Sequence, residues 1–397
     1  MYTISKMKIA VTKPVIGLMQ KPVPVCYIGA GKIKKVADIL EMNSIKSVIV
    51  VTDKSLMKLG LLDTMLEGIK AKDISVFIYD GVMPDPTYTI ASEALAVCAE
   101  NRCQGVIAVG GGSVIDTAKT VAAAYPNHKA PHELEGLFKV RERIMPFIVV
   151  PTTAGTGSEA TFAAVISDPL THKKSTIVDP KIVPMCAILD PEITVGLPKH
   201  ITAHTAMDAL THAVEAYISR YATAETNQYA EIAVKLIYEN LENVYNNPTD
   251  IKGREALLVA SFYAGMAFTR TYVGYVHAFA HNIGGKFGVP HGLANAVLLP
   301  YVMEADLVVS RDNFAALSDL LGLCPVDATQ KEKAEKFVRS IFELNKVLNI
   351  PRKLDKFPAS AIPEIRQAAF KECHGTYPVP RYFSAAQADA ILAKVSV

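Results

Sequence analysis

The chain has 397 residues with 41 basic and 39 acidic side chains, a formal net charge of +2 with neutral histidines, which gives no electrostatic case for nucleic acid or an anionic membrane surface. Half of the residues are hydrophobic and a fifth are charged, a globular composition that excludes a disordered or fibrous chain. No apolar run approaches the ~18 residues of a bilayer span, so no membrane partner is expected, and at about 100–200 residues per domain the length predicts two domains.

Short β-branched runs alternate with helix-like stretches in the first half. Val48–Val51 reads as a strand ending in Thr52-Asp53, and residues 54–71 carry leucines and methionines at helical spacing. Val76–Tyr79 is a second run, followed by the turn-rich Gly81–Pro86 and a helix over 89–101. Gly105–Val109 is a strand running into three glycines, with a helix over 113–124. Pro146–Val150 runs into Pro151-Thr152-Thr153, and Ala187–Leu189 is the last strand. Continuous apolar strands separated by helices predict a parallel sheet covered on both faces. From Gly196-Leu197-Pro198 onward, 202–219, 226–245, 252–268, 292–308, 312–322, 330–348 and 385–395 read at the helical period, with no convincing strand. The expected division is an α/β domain over 1–195 and an all-helical domain over 196–397, with an active site in the cleft between them.

Gly110-Gly111-Gly112-Ser113 joins a buried strand to a helix. Glycine lets a backbone approach a bulky anion closely, and a helix start offers free N–H groups and a positive dipole end, which suits a pyrophosphate. Ser113 and Asp116 have the spacing of a capping box. A plain strand-to-helix turn is the competing reading, and Gly29-Ala30-Gly31 is weaker because it lacks a third glycine. Pro151-Thr152-Thr153-Ala154-Gly155-Thr156-Gly157-Ser158 follows the next strand, so it is expected on the same carboxyl edge. Asp53 ends its strand on that edge, where a carboxylate accepts from a ribose and repels a 2′-phosphate, favouring NAD over NADP. As a competing reading, Asp53 is a helix N-terminal charge.

Six of the ten histidines lie between 200 and 291. Asp208 and His212 are four apart on one helix face, His277 and His281 repeat the spacing, and His291 follows Pro290 at a helix start. One carboxylate and three imidazoles suit a divalent first-row metal such as Fe²⁺ or Zn²⁺. His204 adds a third rung below Asp208. The outer two rungs are ~12 Å apart on a straight helix, so they cannot share one ion, and spacing leaves open which of them joins Asp208. Any one of these histidines also reads as a hydrogen-bonded core or helix-end residue. His128, His132, His172 and His374 have no partner pattern and read as surface residues. Glu215, Glu225 and Glu231 read as solvated helix faces, and Tyr272, Tyr275 and Phe279 as pocket wall or core.

Six cysteines are too sparse for a disulfide scaffold, and the close pair Cys98 and Cys103 has no neighbouring histidine. MYTISKMKIAVTKPVIG lacks a secretory layout, so reduced thiols in a cytoplasm are expected.

Taken together, GGGSxxDxAK (Gly110 to Lys119), PTTAGTGSE (Pro151 to Glu159), MDALTHAVEAY and VHAFAH…GVPHGLANAVLLP resemble the iron-containing, group III alcohol dehydrogenase family, from Ile28 to about Met303. The resemblance implies a dehydroquinate synthase-like fold: a Rossmann-like α/β domain, an all-α C-terminal domain, a nicotinamide cofactor and one divalent metal. It implies Asp208, His212, His277 and His291 as ligands, with His281 near nicotinamide and substrate without binding metal. Since an imidazole titrates near neutral pH, His281 is the candidate for relaying the hydroxyl proton. Gly110, Gly111, Gly112, Ser113 and Asp116 would hold the pyrophosphate. Thr152, Thr153 and Thr156 would line the cofactor, with Lys174, before a Ser175–Asp179 strand, as a further contact. Asp53 matches the aspartate of NAD-preferring members. Asp85 stands where many members have asparagine or glutamate, Ala163 and His204 depart from common residues, and Val379-Pro-Arg381 replaces a usual Asn-Pro-Arg. The implied activity is hydride transfer between NAD and a small alcohol, diol or aldehyde, in a homo-oligomer. Glycerol dehydrogenase-like polyol oxidation and a catalytically silent metal- or nucleotide-binding subunit are the alternatives. A dehydroquinate synthase would need a cationic pocket, and 272–291 offers only Lys286.

Overall fold

The computed structural model describes Ser5, Ile9 and residues 22–170 and 174–397. The N-terminal run read for a signal layout falls almost wholly outside the described residues, as does His172. Two compact units are present. One comprises Gln20–Leu197 with Thr249–Phe262, the other Pro198–Pro248 with Tyr263–Val397 and the N-terminal residues.

The first unit is built on six parallel strands: β1 (Val25–Ile28), β2 (Ser47–Val51), β3 (Ser75–Tyr79), β4 (Gly105–Gly110), β6 (Phe147–Pro151) and β9 (Cys186–Leu189), in the order β1-β9-β6-β4-β2-β3. The central strands β4, β6 and β9 are buried along their whole length. Alternation sends Val48 and Val50 to one face, with Val36, Leu40, Met65 and Ile69 of the helices Lys35–Met42 and Asp63–Lys70. Ile49 and Val51 go to the other, with Ile90 and Ala94 of the helix Tyr88–Glu100 and Ile115 and Ala118 of the helix Gly112–Asn127. Because all six strands are parallel, Gly29, Thr52-Asp53, Gly111, Thr152 and Asp190 leave the sheet at one carboxyl edge.

Three features differ from the sequence reading. Residues 54–71 form two helices, Lys54–Lys58 and Asp63–Lys70, because Gly60 at φ +65° breaks the run. β1 precedes Gly29. A second sheet of β5 (Gly136–Leu137), β8 (Lys174–Val178) and β7 (Ala163–Ser167) stands in that order beside the main one in this unit.

Among the described residues the second unit contains no strand. Its helices include Lys199–Tyr217, Ala224–Asn246, Tyr275–Phe287, His291–Leu320, Gln330–Val347, Ile362–Cys373 and Ala385–Val395. The segments 292–308 and 312–322 are one helix, kinked at Ser310 (φ −118°, ψ 21°). By length and composition His291–Leu320 matches a membrane span, against the sequence expectation. Yet 56% of its most apolar window is buried inside the protein, where it packs on Lys199–Tyr217 and Gln330–Val347 and buries Asn295 and Asp306. It is the core helix of this unit.

Candidate metal centre and cofactor loops

Three helices of the second unit converge on Asp208, His277 and His291, whose ligand atoms all lie within 4.8 Å of one another. Asp208 Oδ1 is 3.7 Å from His277 Nε2 and 3.4 Å from His291 Nε2. The approach depends on Gly292. A Cβ there would run into the carbonyl oxygen of His204, one turn before Asp208, so glycine lets the helix beginning at His291 lie against the Asp208 helix. Gly292→Ala is therefore expected to push His291 out of range and lower metal content below half of wild type, measured by elemental analysis of folded protein.

Two residues that the sequence reading missed hold this arrangement. Glu215 is not solvated: it is buried and accepts from Gly274 N (2.8 Å), Val276 N (2.7 Å) and His277 Nδ1 (2.6 Å). Its signal was the helical period, since 208, 212 and 215 share one face. With Nδ1–H given to Glu215, the buried Nε2 of His277 faces Asp208 Oδ1 at 3.7 Å and is the ring atom left for a metal ion. Asn295, four residues after His291, donates Nδ2–H to Asp208 Oδ1 (2.6 Å) and lies 3.0 Å from His291 Nε2.

Electrostatics match a cation site. Burial works against the charged form of Asp208, but the imidazoles of His212, His291 and His277 outweigh it and hold the carboxyl well below its usual range. Burial likewise works against a charged His277, yet Asp208 and Glu215 bring it up to about 9. A bound metal ion takes the place of that proton. His212 lies outside the 4.8 Å set, its ring stacked on Phe268 (4.1 Å between centroids) and on His277 (4.5 Å). His281 stacks on His291 at 5.1 Å and places Nδ1 2.8 Å from Glu372 Oε1. His204 faces His200 instead. His374 is not a surface residue. It is half-buried, with Nε2 2.7 Å from the Tyr275 hydroxyl and its ring stacked on Phe370. Tyr275 and Phe279 are core, as expected.

In the first unit the glycine loop touches the threonine loop. A Cβ on Gly112 would lie 2.6 Å from Thr156 Cγ2, and one on Gly111 would lie 3.3 Å from Thr153 Oγ1. Thr152 is buried, its N–H bonded to Gly110 O (3.1 Å). The capping box does not form. Gly111 is the N-cap of Gly112–Asn127 with no side-chain cap, and Asp116 turns aside to accept from Ser158 Oγ (2.6 Å) and Val165 N (2.9 Å). An uncapped helix start between glycines fits a pyrophosphate. Below it, fully buried Lys119 donates to Ser158 Oγ, Thr161 O, Thr161 Oγ1 and Ala163 O at 2.7–3.1 Å. Burial lowers this ammonium to about 8 and raises neighbouring Glu159 to about 7. Asp53 Oδ1 caps Lys54–Lys58 through Ser55 N and Leu56 N, and Asp85 (φ +54°) pairs with Lys174 at 2.8 Å.

Residues 24–191 match the sequence model of the iron-containing alcohol dehydrogenases, and 202–396 match the C-terminal model of the same family. The chain is 36% identical to the NAD-dependent methanol dehydrogenase of Bacillus methanolicus over 83% of this chain and 86% of that protein. It is 34% identical to alcohol dehydrogenase 4 of Saccharomyces cerevisiae over 94% and 96%. The crystal structure of a 1,3-propanediol oxidoreductase superposes with a TM-score of 0.91 at 35% identity, covering 95% of this chain and 99% of that one. The chain belongs to the iron-containing alcohol dehydrogenase family and is an alcohol/aldehyde oxidoreductase of the iron type.

Proposed function

We propose that the protein interconverts a small primary alcohol or diol and its aldehyde, with Asp208, His212, His277 and His291 holding the iron. The observation that carries this reading is the convergence of Asp208, His277 and His291 within 4.8 Å. When bound, iron supplies a Lewis acid for charge developing on the substrate oxygen, and NAD supplies the hydride acceptor. Glu215 keeps the Nε2 lone pair of His277 directed at the site, and Asn295 fixes Asp208 and His291. The helix start at Gly111, Gly112 and Ser113 binds pyrophosphate, Thr153 and Thr156 wall it, and Asp116 and Lys119 hold that wall through Ser158. Asp53, with one oxygen engaged as a cap, keeps the other for a ribose, which favours NAD over NADP. Asp85 and Lys174 approach the cofactor as a pair. His281 exchanges the hydroxyl proton with the substrate.

Chelation of iron is expected to abolish NADH formation from short alcohols, followed at 340 nm, and added Fe²⁺ to restore it. Turnover untouched by complete chelation contradicts the reading. The named activities of the relatives, on methanol and 1,3-propanediol, support a short substrate. Six free cysteines support a cytoplasmic setting. The edge strand β1 exposes Val25 and Ile28, which supports a homo-oligomer. Light scattering on the eluting protein tests it.

A further inference from the structure

We propose that Glu372 is a positioning residue: it fixes the tautomer of His281 so that Nε2 is the atom that exchanges a proton with the substrate. This rests on the role proposed above for His281.

Glu372 lies in the last turn of the helix Ile362–Cys373, where the negative end of the helix dipole disfavours a carboxylate. Three side chains offset this. Its Oε1 accepts from His281 Nδ1 (2.8 Å) and from the Tyr377 hydroxyl (2.7 Å), and its Oε2 accepts from Asn282 Nδ2 (2.9 Å). Burial pushes the carboxyl up, but these donors outweigh it and keep the group below its ordinary value, hence ionised. An ionised carboxylate only accepts. The hydrogen between Glu372 and His281 therefore belongs to Nδ1, and in the neutral ring Nε2 carries the lone pair. Tyr377 and Asn282 hold the carboxylate in place, so the imidazole plane is set as well as its tautomer. The ring also stacks on His291 at 5.1 Å and 16°, and the side chain keeps 29% exposure, so a small molecule reaches it.

In alcohol oxidation the C–H bond breaks with its electron pair going to NAD, the O–H proton passes to Nε2, and the C=O bond forms. Nδ1–H stays on the ring, bonded to Glu372, which stabilises the imidazolium until Nε2 releases the proton to water. The reverse direction uses the same atoms.

The test is ¹⁵N NMR on the zinc-loaded protein labelled at histidine, with the His281 signals identified by their loss in His281→Gln. The expected wild-type result is hydrogen on Nδ1 and a bare Nε2 in the neutral ring. Hydrogen on Nε2 with a bare Nδ1 overturns the inference without any variant at Glu372. Glu372→Ala is expected to mix the two tautomers and lower kcat about 10- to 100-fold, with zinc content and NADH affinity unchanged and KM for alcohol within about threefold. Glu372→Gln retains an acceptor oxygen and is expected to recover the wild-type tautomer and part of the rate. A wild-type tautomer in folded Glu372→Ala protein defeats the role of Glu372 alone. Wild-type turnover in His281→Ala defeats the proton-exchange reading on which it rests.

Discussion

His277→Ala protein is expected to lose iron and turnover together, with kcat/KM down at least ~10³-fold, while His281→Ala retains full metal and is slowed about 10²-fold. His277 is buried at the meeting point of Glu215 and Asp208, and its Nε2 has no other partner. Removing the ring deletes a ligand and takes away one of the two donors to Glu215 Oε2, which keeps only Gly274 N–H. His281, four residues on, donates to Glu372 and meets His291 and His277 through ring contacts alone, so its loss leaves the donor set intact. Metal analysis beside steady-state kinetics separates the two. Loss of iron from His281→Ala, or its retention in His277→Ala, contradicts this division of labour.

Glu215→Ala is the second large effect. It leaves Gly274 N–H, Val276 N–H and His277 Nδ1 without their acceptor inside the core. At about 1–3 kcal/mol for each stranded donor, a loss of at least ~3 kcal/mol is expected, seen as a lower melting temperature of the helical unit. Iron affinity is expected to fall about 10–100-fold because the His277 tautomer is no longer fixed. Glu215→Gln still accepts at one oxygen and should recover part of both. Gly274 belongs to the same contact, since a Cβ there would lie 2.7 Å from Glu215 Oε1.

The parallel sheet was legible because its inner strands are unbroken apolar runs. Helical spacing pairs Asp208 with His212 and His277 with His281, whereas the ligand atoms within 4.8 Å of one another belong to Asp208, His277 and His291, which three different helices bring together. Residues whose role is set by distant partners were harder to read. Glu215 looked like an ordinary exposed carboxylate, and what engages it is the helix start at Gly274–Val276, about sixty residues on. Asp116 has capping-box spacing, but Ser158 and Val165, 42 and 49 residues away, supply better donors. Glu372 lies 91 residues from His281 with no motif between them. The helix Ile362–Cys373 escaped notice because it buries only Ile365, Ala369 and Cys373, and the strand Gly136–Leu137 is too short to show alternation.

Crystals grown with Fe²⁺ or Zn²⁺ and measured at the metal's absorption edge give the most direct check. The account predicts a single strong anomalous peak within bonding distance of Asp208, His212, His277 and His291. A peak bound elsewhere, or one that leaves His277 and His291 uncoordinated, contradicts it.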